Sequence, residues 1–598
     1  MAYNVEYRFD FQSVSGSDYR IDVLKDGYSG SVKKRALGGS PMLRRDKNDC
    51  VCGTSLDFIA ECAVDGEYEE FASSDPFAFM VKVYCDGSHN NSYNTLFWQG
   101  YISPEIYSAP DIAPPYDVQI TATDGLGELK LNNYEAQGIK SLSAQLSYLL
   151  GFTGLSLGYR LTSDLSTDAT RERDLLEEVY VNLDWMAGET CYDVLQLLMS
   201  TLHATITLDG DRWFIFKETG ITVIPPHGTF VYYQDAYPRE ASIHTFGSVN
   251  AYQPFWPVGK MTRTFVPAKK KVVITADNHY RNRLDGAWTL DSNATDDGDY
   301  WTFPGAGDGI HQTVNFVQEV QKPLVLKVRL RNIGDSTDSG NVAIVVYMTG
   351  SAYAVGSSFY LTTRVGNGRP SRYDTAWTDH SSTFNREVQA PFDEDTDDDT
   401  EDIEIHIPLY YNNNRNYYGA TSLEIYVFNG DQLFEKRVYE VTLDQEKQIK
   451  GFQKIVNIDN GARGDAPGID VAFVGTTGFN DYAGIEDLLY GVPMTSAGVK
   501  ITSWSAGNFS SLDFLSLIAR DYALSVASPR IRLSGTLQTY TGYCDSCPMM
   551  FKDYHDDEIY IVETFSWDMF NDELSLEMVS RPANSITVDS ESNDPVND

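Results

Sequence analysis

The sequence predicts a mainly β protein with smaller α+β parts. Three observations carry that expectation. Apolar and polar residues alternate over short stretches, in Tyr3, Val5, Tyr7, Phe9 and Phe11 and again in Tyr116, Val118, Ile120 and Ala122, which is the period of a half-buried strand. Aromatic residues make up 13% of the chain, with 38 Tyr among them, and such side chains favour pleated sheet. Helical periodicity is confined to short segments near residues 142, 194 and 515.

Residues 1–135 are expected to form an N-terminal antiparallel β-barrel. After the first strand, Tyr19, Ile21 and Val23 alternate ahead of an Asp26-Gly27 turn, and further strands begin at Leu56 and Phe79. The stretch 96–130, LFWQGYISPEIYSAPDIAPPYDVQITATDGLGELK, organises this part. It reads as a strand, a long turn, a second strand and a closing Asp124-Gly125-Leu126-Gly127 loop. Pro104, Pro110, Pro114 and Pro115 keep its middle out of a central sheet position. The basic groups Lys33-Lys34-Arg35 and Arg44-Arg45 are expected on solvated surface.

Residues 136–267 change to a helix-plus-hairpin style. Ser141 is placed to cap a helix carrying Leu142, Leu146, Leu149 and Leu150, and Thr190 to cap one carrying Val194, Leu195, Leu198 and Leu202. Asp209-Gly210 then turns a hairpin. Residues 268–445 show clean strands and no helical period, the pattern of an inserted jelly-roll-like β-sandwich. Its loops carry Trp288, Tyr300, Trp301, Trp377, Tyr410, Tyr411, Tyr417 and Tyr418. The acidic run from Asp393 to Asp402 cannot pack without charge repulsion and is expected as a solvated loop. Residues 446–582 return to helix followed by strands. Ser510 with Asp513 reads as a capping box ahead of Leu512, Leu515, Ile518, Ala519 and Tyr522. A hairpin turns across residues 570–573, and residues 583–598 are expected as a mobile polar tail.

Composition limits function. The chain of 598 residues carries 46 basic and 85 acidic residues, a net charge of −39. That field opposes tight binding to phosphate backbones while allowing DNA to pass along an acidic wall. The start of the chain lacks the basic and apolar regions of a secretory signal, and no apolar run is long enough to span a membrane. Seven cysteines form a sparse, odd set, so a disulfide framework is not expected and synthesis in a reducing cytoplasm is.

Motifs for chemistry are scarce. There is no G-x-S-x-G elbow, no phosphate-binding loop and no HExxH, so no catalytic residue, no metal ligand and no cofactor is assigned, and the protein is not expected to be an enzyme. Cys50-x-Cys52 and Cys544-x-x-Cys547 lack the second close pair of a zinc ribbon, and free thiols are the simpler expectation. Residues 291–299 begin like a calcium loop but place Asp296 where glycine is needed. The exposed aromatics of the sandwich are more specific. Aromatic faces stack on sugar rings while neighbouring polar groups bind hydroxyls, so Trp288, Tyr300, Trp301, Trp377 and Tyr417 are the candidate glycan contacts.

The order of FWQGY, proline-rich turn and PYDVQITATDGLGELK resembles the N-terminal barrel of phage tail hub proteins, in particular those of tailed phages and prophages of Bacteroides-type bacteria. TCYDVLQLLMSTLHATITLDGDRWFIFKE is similar to the next hub domain. SSLDFLSLIARDYALSVASPRIRLSGTL with YIVETFSWDMFNDELSLEMV resembles the C-terminal return of a hub. The resemblance covers about residues 1–265 and 446–582; the insertion departs from a minimal hub. It implies a structural virion protein at the tail tip that forms a homo-oligomer, a trimer in such hubs. Such a hub adapts a hexameric tail tube to a threefold tip, with a distal tail or tube protein on one side and a central spike or fibre on the other. DNA passes through its lumen on infection. A receptor- or glycan-binding tail protein working through the sandwich is the alternative reading, followed by a distal tail protein or a glycoside hydrolase.

Overall fold

The computed structural model describes residues 3–47, 50–86, 95–104, 109–167, 175–218, 229–231, 256–277, 284, 288–315, 324–333, 342–350, 359–367, 385–390, 401–407, 410–411, 415–416, 420–429, 435–445, 449–472, 492–506, 509–539, 550–552, 559–582 and 586–597. The chain is mainly β, with several sheets and few helices among the described residues. It divides into two units. The first comprises Met1–Asp277, Phe452–Thr477 and Gly491–Asp594; the second comprises Asn278–Gly451, Gly478–Tyr490 and Pro595–Asp598. Of the acidic run from Asp393 to Asp402, expected as a loop, Glu401 and Asp402 instead open the Glu401–Ile407 strand, where backbone pairing with Leu324–Ile333 holds them opposite Leu330 and Arg329; residues 393–400 and the Cys544/Cys547 pair lie outside the described residues.

Unit 1 is built on a 14-stranded sheet. The N-terminal strands pair antiparallel, Tyr3–Gln12 with Asp18–Asp26, then Phe79–Asp86, Thr95–Ile102, Tyr116–Thr123 and Thr54–Cys62. They do so because their alternation buries one face: Tyr116, Val118, Ile120 and Ala122 are inside, while Asp117 and Gln119 between them are exposed. Among the described residues the pairing path does not close on itself as a barrel would. It runs on through Met42–Arg45 into the C-terminal hairpin of Ile559–Asp568 and Glu573–Ser580, and ends at Arg530–Gln538 with Trp256–Pro257 and Thr262–Val266 beside it.

That junction corrects the expectation for Arg45. Its side chain is not on solvated surface but is 2% exposed. It donates from Nη2 to the Val562 carbonyl at 2.8 Å and lies over the Phe565 ring. A guanidinium is tolerated there because a strand from the far end of the chain supplies its acceptor and an aromatic face. Lys33 likewise pairs with buried Glu6 at 2.8 Å, and Arg35 pairs with Glu67 at 2.5 Å.

The 96–130 stretch works as a close-packed corner. A β-carbon on Gly100 would come 2.2 Å from the Thr123 carbonyl oxygen, so only glycine allows the two strands to approach. Asp124 is buried; its Oδ2 accepts from the Thr54 amide at 2.6 Å and the Thr54 hydroxyl at 2.8 Å, and its Oδ1 accepts from the Leu126 amide at 3.1 Å. The Trp98 indole donates to the same Thr54 hydroxyl at 2.9 Å. Burial pushes the Asp124 carboxyl up to about 6, against those hydrogen bonds, which favour the charged form. Gly125 follows at φ 81, with the Thr153 carbonyl closing off the space a side chain would need.

The helix expectations are met at two N-termini. Ser141 caps Leu142–Gly151 by accepting from the Ala144 amide, and Thr190 caps Cys191–Thr201 by accepting from the Asp193 amide. The third differs. Asp513, not Ser510, is the cap of Phe514–Val526, accepting from the Ser516 amide, and Leu512 lies in the preceding strand. The Ala204–Asp209 and Arg212–Lys217 hairpin forms as expected and joins a five-stranded sheet. The 588–597 segment, expected as a mobile tail, is a strand beside Ile449–Ile458 in a four-stranded sheet. Glu591 holds it through Lys454 at 3.2 Å and Arg520 at 2.5 Å. The same sheet contains Lys271–Asp277, a strand whose sequence reading placed it in the insertion.

Two helices and the hairpin meet at a dry ionic clasp. Lys217 is fully buried between Asp164, 2.7 Å away, and Asp521, 2.9 Å away. Asp521 also binds His203, whose ring stacks on Tyr522 at 3.7 Å. Burial alone would raise the Asp521 carboxyl, but the Lys217 ammonium and His203 outweigh it and hold it at about 2. Among the described residues Cys50, Cys52, Cys62 and Cys191 form no disulfide, while Cys85 is disulfide-bonded, a feature the sparse cysteine count did not lead us to expect.

Unit 2 is a two-sheet sandwich. One sheet has six strands, ordered Thr289–Asp291, Gly309–Asn315, Ala420–Asn429, Val342–Gly350, Phe359–Asn367 and Asn385–Ala390. The other has five, ordered Thr295–Asp296, Trp301–Phe303, Glu435–Gln445, Leu324–Ile333 and Glu401–Ile407. Phe303, Ile310, Leu326, Val328, Ile425, Val427 and Val438 form its described core.

Two outcomes follow for unit 1. Gly100→Ala is expected to cost about 1–3 kcal/mol through overpacking against Thr123, read as a lowered midpoint in denaturant unfolding. Asp521→Asn is expected to cost about 3–5 kcal/mol at neutral pH by breaking a buried pair. An aspartate with a depressed folded pKa contributes stability above its unfolded value of about 3.9, and that stability is lost as pH falls toward 2. Unfolding free energies measured between pH 2 and 7 should therefore fall less steeply below about pH 4 in Asp521→Asn than in the parent.

Candidate functional site

The sandwich places two of the five candidate aromatics, Trp288 and Trp301, against each other and sets a third, Tyr300, in a separate cluster; Trp377 and Tyr417 lie outside the described residues. The hairpin of Thr295–Asp296 and Trp301–Phe303 forms because Gly298, at φ 90, turns the chain, and Asp296 accepts from its amide at 2.9 Å. This places Tyr300 and Trp301 in succession, with their side chains toward opposite faces. Phe303 and Val438, the residue registered opposite Trp301, are buried in the core, and period 2 puts Trp301 on the same side as Phe303 at the sheet end. There it meets Trp288, which precedes the first strand of the opposite sheet, at 5.7 Å between rings. Both tryptophans are half-buried.

Tyr300 belongs to the outer face. The Arg437 guanidinium lies over its ring at 4.7 Å and the Tyr439 ring is 5.4 Å away. Arg437 is held by Glu435, which accepts from its Nε at 3.2 Å. Tyr439 reaches this position through a bulge: Arg329 pairs with Glu440 and Leu330 with Val438, which leaves Tyr439 opposite no partner. An extra residue of this kind re-aims a side chain. Tyr439 was not among the residues singled out from sequence. Its alternation with Arg437 was visible, but the bulge depends on a strand more than a hundred positions away.

Exposed carboxylates border the ledge. Asp296, Asp297 and Asp299 all lie at the surface, and Asp297 accepts from the Thr302 hydroxyl at 2.7 Å. On the other sheet His311 pairs with Asp291 at 2.7 Å and stacks on Tyr426 at 4.9 Å. Asp308 is buried and accepts from the amides of Asn293 and Gly305 at 3.0 and 2.8 Å. The carboxylates of the 291–299 segment thus serve local turns and a histidine. Among the described residues no group of three or more His, Cys, Asp or Glu is placed to hold a metal ion.

The ledge combines ring faces, a guanidinium and carboxylates, which is chemistry suited to a polyhydroxylated ligand. Removing Arg437 tests how its parts are coupled. Arg437→Ala should leave the unfolding midpoint nearly unchanged, because a solvated cation–π contact is worth little. It should also raise the accessibility of Tyr300 to a water-soluble fluorescence quencher.

No known protein-family profile matches the chain, and no characterised protein matches it by sequence. Solved structures similar to part of it include the CBM22-1 xylan-binding domain of Xyn10C from Paenibacillus barcinonensis, at 10% identity and TM-score 0.17, covering 30% of this chain and 99% of that one. The xylan-binding module CBM15 is similar at 16% identity and TM-score 0.16, covering 29% and 97%. The enzymatically active domain of tailspike protein 4 from bacteriophage CBA120 is similar at 11% identity and TM-score 0.13, covering 31% of this chain and 20% of that one. Likenesses at this level assign no function to this chain.

Proposed function

We propose that this protein binds carbohydrate through its sandwich while its first unit serves as scaffold. The observation that carries the reading is the half-exposed pair of Tyr300 and Tyr439 beside Arg437, with the exposed carboxylates of 296–299 next to it in sequence and a separate half-exposed pair, Trp288 with Trp301, at the end of the same hairpin. Mutually packed rings are already ordered, so a sugar ring that stacks on them meets a small entropic cost. Burying about 80 Å² of apolar face contributes about 2 kcal/mol. The protein acts by binding rather than by chemistry, and its polyol-facing groups orient the ligand.

A second reading concerns the whole chain. We infer a structural tail protein of the hub type, made in a bacterial cytoplasm and assembled as a homo-oligomer at a virion tail tip. The feature that favours it is one sheet shared by both ends of the chain across a large insertion, beside the resemblance of residues 96–130. Rigid sheet and buried ion pairs suit a load-carrying ring. Electron microscopy of the purified protein should then show rotationally symmetric particles, whereas a stable monomer would remove this reading and leave the glycan reading standing.

The glycan reading has its own experiment. The full chain, applied to an array of bacterial surface polysaccharides and β-linked oligosaccharides, should bind at least one class. Calorimetry with that ligand should show affinity lowered by roughly thirtyfold in Trp301→Ala or Tyr300→Ala. Absence of binding to every glycan, or binding unchanged in both variants, would sink it.

A further inference from the structure

Charge around the Tyr300–Tyr439 pair selects among sugars. Trp301 is registered with Val438 and Thr302 with Arg437. Period 2 puts Tyr300 and Thr302 on the face away from buried Phe303, and the Tyr439 ring and the Arg437 guanidinium meet Tyr300 there. Among the described side chains of the sandwich, Arg437 is the one Lys or Arg. Its charge is answered within the cluster, by Glu435 at 3.2 Å and by the face of Tyr300.

The carboxylates beside it are not answered. The Asp297 amide donates to the Tyr300 carbonyl at 3.0 Å and closes the turn that leads into Tyr300. The Asp297 carboxylate accepts from the Thr302 hydroxyl at 2.7 Å, which holds it next to the residue registered with Arg437. Asp296 accepts from the Gly298 amide at 2.9 Å, and Asp299 directly precedes Tyr300. Asp296, Asp297 and Asp299 are all exposed, and among the described residues none of them is paired with a cation. Such charges act on a bound sugar within a Debye length of about 8–10 Å. They attract an ammonium group, which brings three donors, forms charge-assisted bonds with carboxylates and is drawn to a tyrosine face. A sugar carboxylate would find Arg437 as its donor, with Glu435 already on Nε and the acidic turn opposing it.

We propose that the Tyr300–Tyr439 site takes amino sugars. The two tyrosines stack the sugar ring, the carboxylates of the 296–299 turn hold its ammonium group, and glycans that carry carboxylate or phosphate groups are disfavoured. This rests on the glycan reading and narrows it to a charge class of ligand.

Calorimetry of the full chain with three β-linked oligosaccharides of one size and linkage, built from glucosamine, glucose and glucuronic acid, tests the proposal. The pH is set where the sugar amine is protonated and the carboxylates are ionised. The glucosamine oligomer should bind about five- to tenfold tighter than the glucose oligomer. The glucuronic acid oligomer should bind more weakly than either, and the gaps should narrow as salt rises. In the triple variant Asp296→Asn, Asp297→Asn, Asp299→Asn the ratio of glucosamine to glucose affinity should fall toward one. That ratio is taken within one protein, so a loss of fold does not imitate it. A glucosamine oligomer bound no tighter than both of the others, or a preference for it that survives the triple variant, would overturn the amino-sugar assignment and leave the glycan reading in place. So would binding to none of the three by a chain that takes another glycan. Binding to no glycan at all would remove both.

Discussion

Unit 1 depends on the pairing of Met42–Arg45 with Ile559–Asp568, because this contact turns the two ends of the chain into one sheet. The four registered pairs run from Phe565 with Arg45 to Asp568 with Met42. On the N-terminal side Met42–Arg45 continues into Thr54–Cys62, whose Thr54 is the anchor for Asp124 and Trp98. On the C-terminal side the hairpin continues to Arg530–Gln538, directly after the helix that carries Asp521. Burying Arg45 here gives the pairing its specificity: with Val562 shifted out of register the guanidinium would lose its carbonyl acceptor in a dry site, at a cost of several kcal/mol.

The ionic clasp extends the same logic. Lys217 ends a hairpin in the middle of the chain, Asp164 lies just after the Gly158–Thr162 strand, and Asp521 sits on the C-terminal helix. Fully buried charges of this kind add little net stability over an apolar core, but they penalise any arrangement that leaves one unpaired. A scaffold formed from segments far apart in sequence gains most from contacts that punish mispairing. The strands on either side of the insertion, Lys271–Asp277 and Ile449–Ile458, are neighbours in one sheet, and Gln453 donates to the Thr275 hydroxyl at 3.4 Å. The chain therefore leaves and re-enters unit 1 at one place, and the sandwich does not have to fold for the sheet to close.

What could be read in the sequence follows the range of the interactions. Ser141 and Thr190 were legible as caps because the hydroxyl and its acceptor amide are three residues apart. The Ser510-x-x-Asp513 pattern misled because serine and aspartate cap about equally well and Ser510 is held in the Phe509–Leu512 strand, which leaves Asp513 to cap the helix. Alternation in 116–123 identified the strand and its buried face, but not the partner that makes Gly100 indispensable. Arg45, the strand at 588–597 and the bulge at Tyr439 escaped because each depends on a distant residue: Val562, Lys454 and Arg329 respectively. For the same reason Trp288, Tyr300 and Trp301 were legible as aromatics of a β-rich insertion, while the pairing of the two tryptophans and the packing of Tyr300 with Arg437 and Tyr439 were not.

The division of labour between scaffold and sandwich is the central claim, and excision tests it most directly. Residues 278–451 would be replaced by a short Gly-Ser linker and the product compared with the full chain by thermal unfolding and by binding to the glycan that the full chain takes. The account predicts one cooperative unfolding transition for the remaining chain, because its entry and exit strands are already neighbours, together with complete loss of glycan binding. A shortened chain that fails to fold, or one that folds and still binds the glycan, would contradict it.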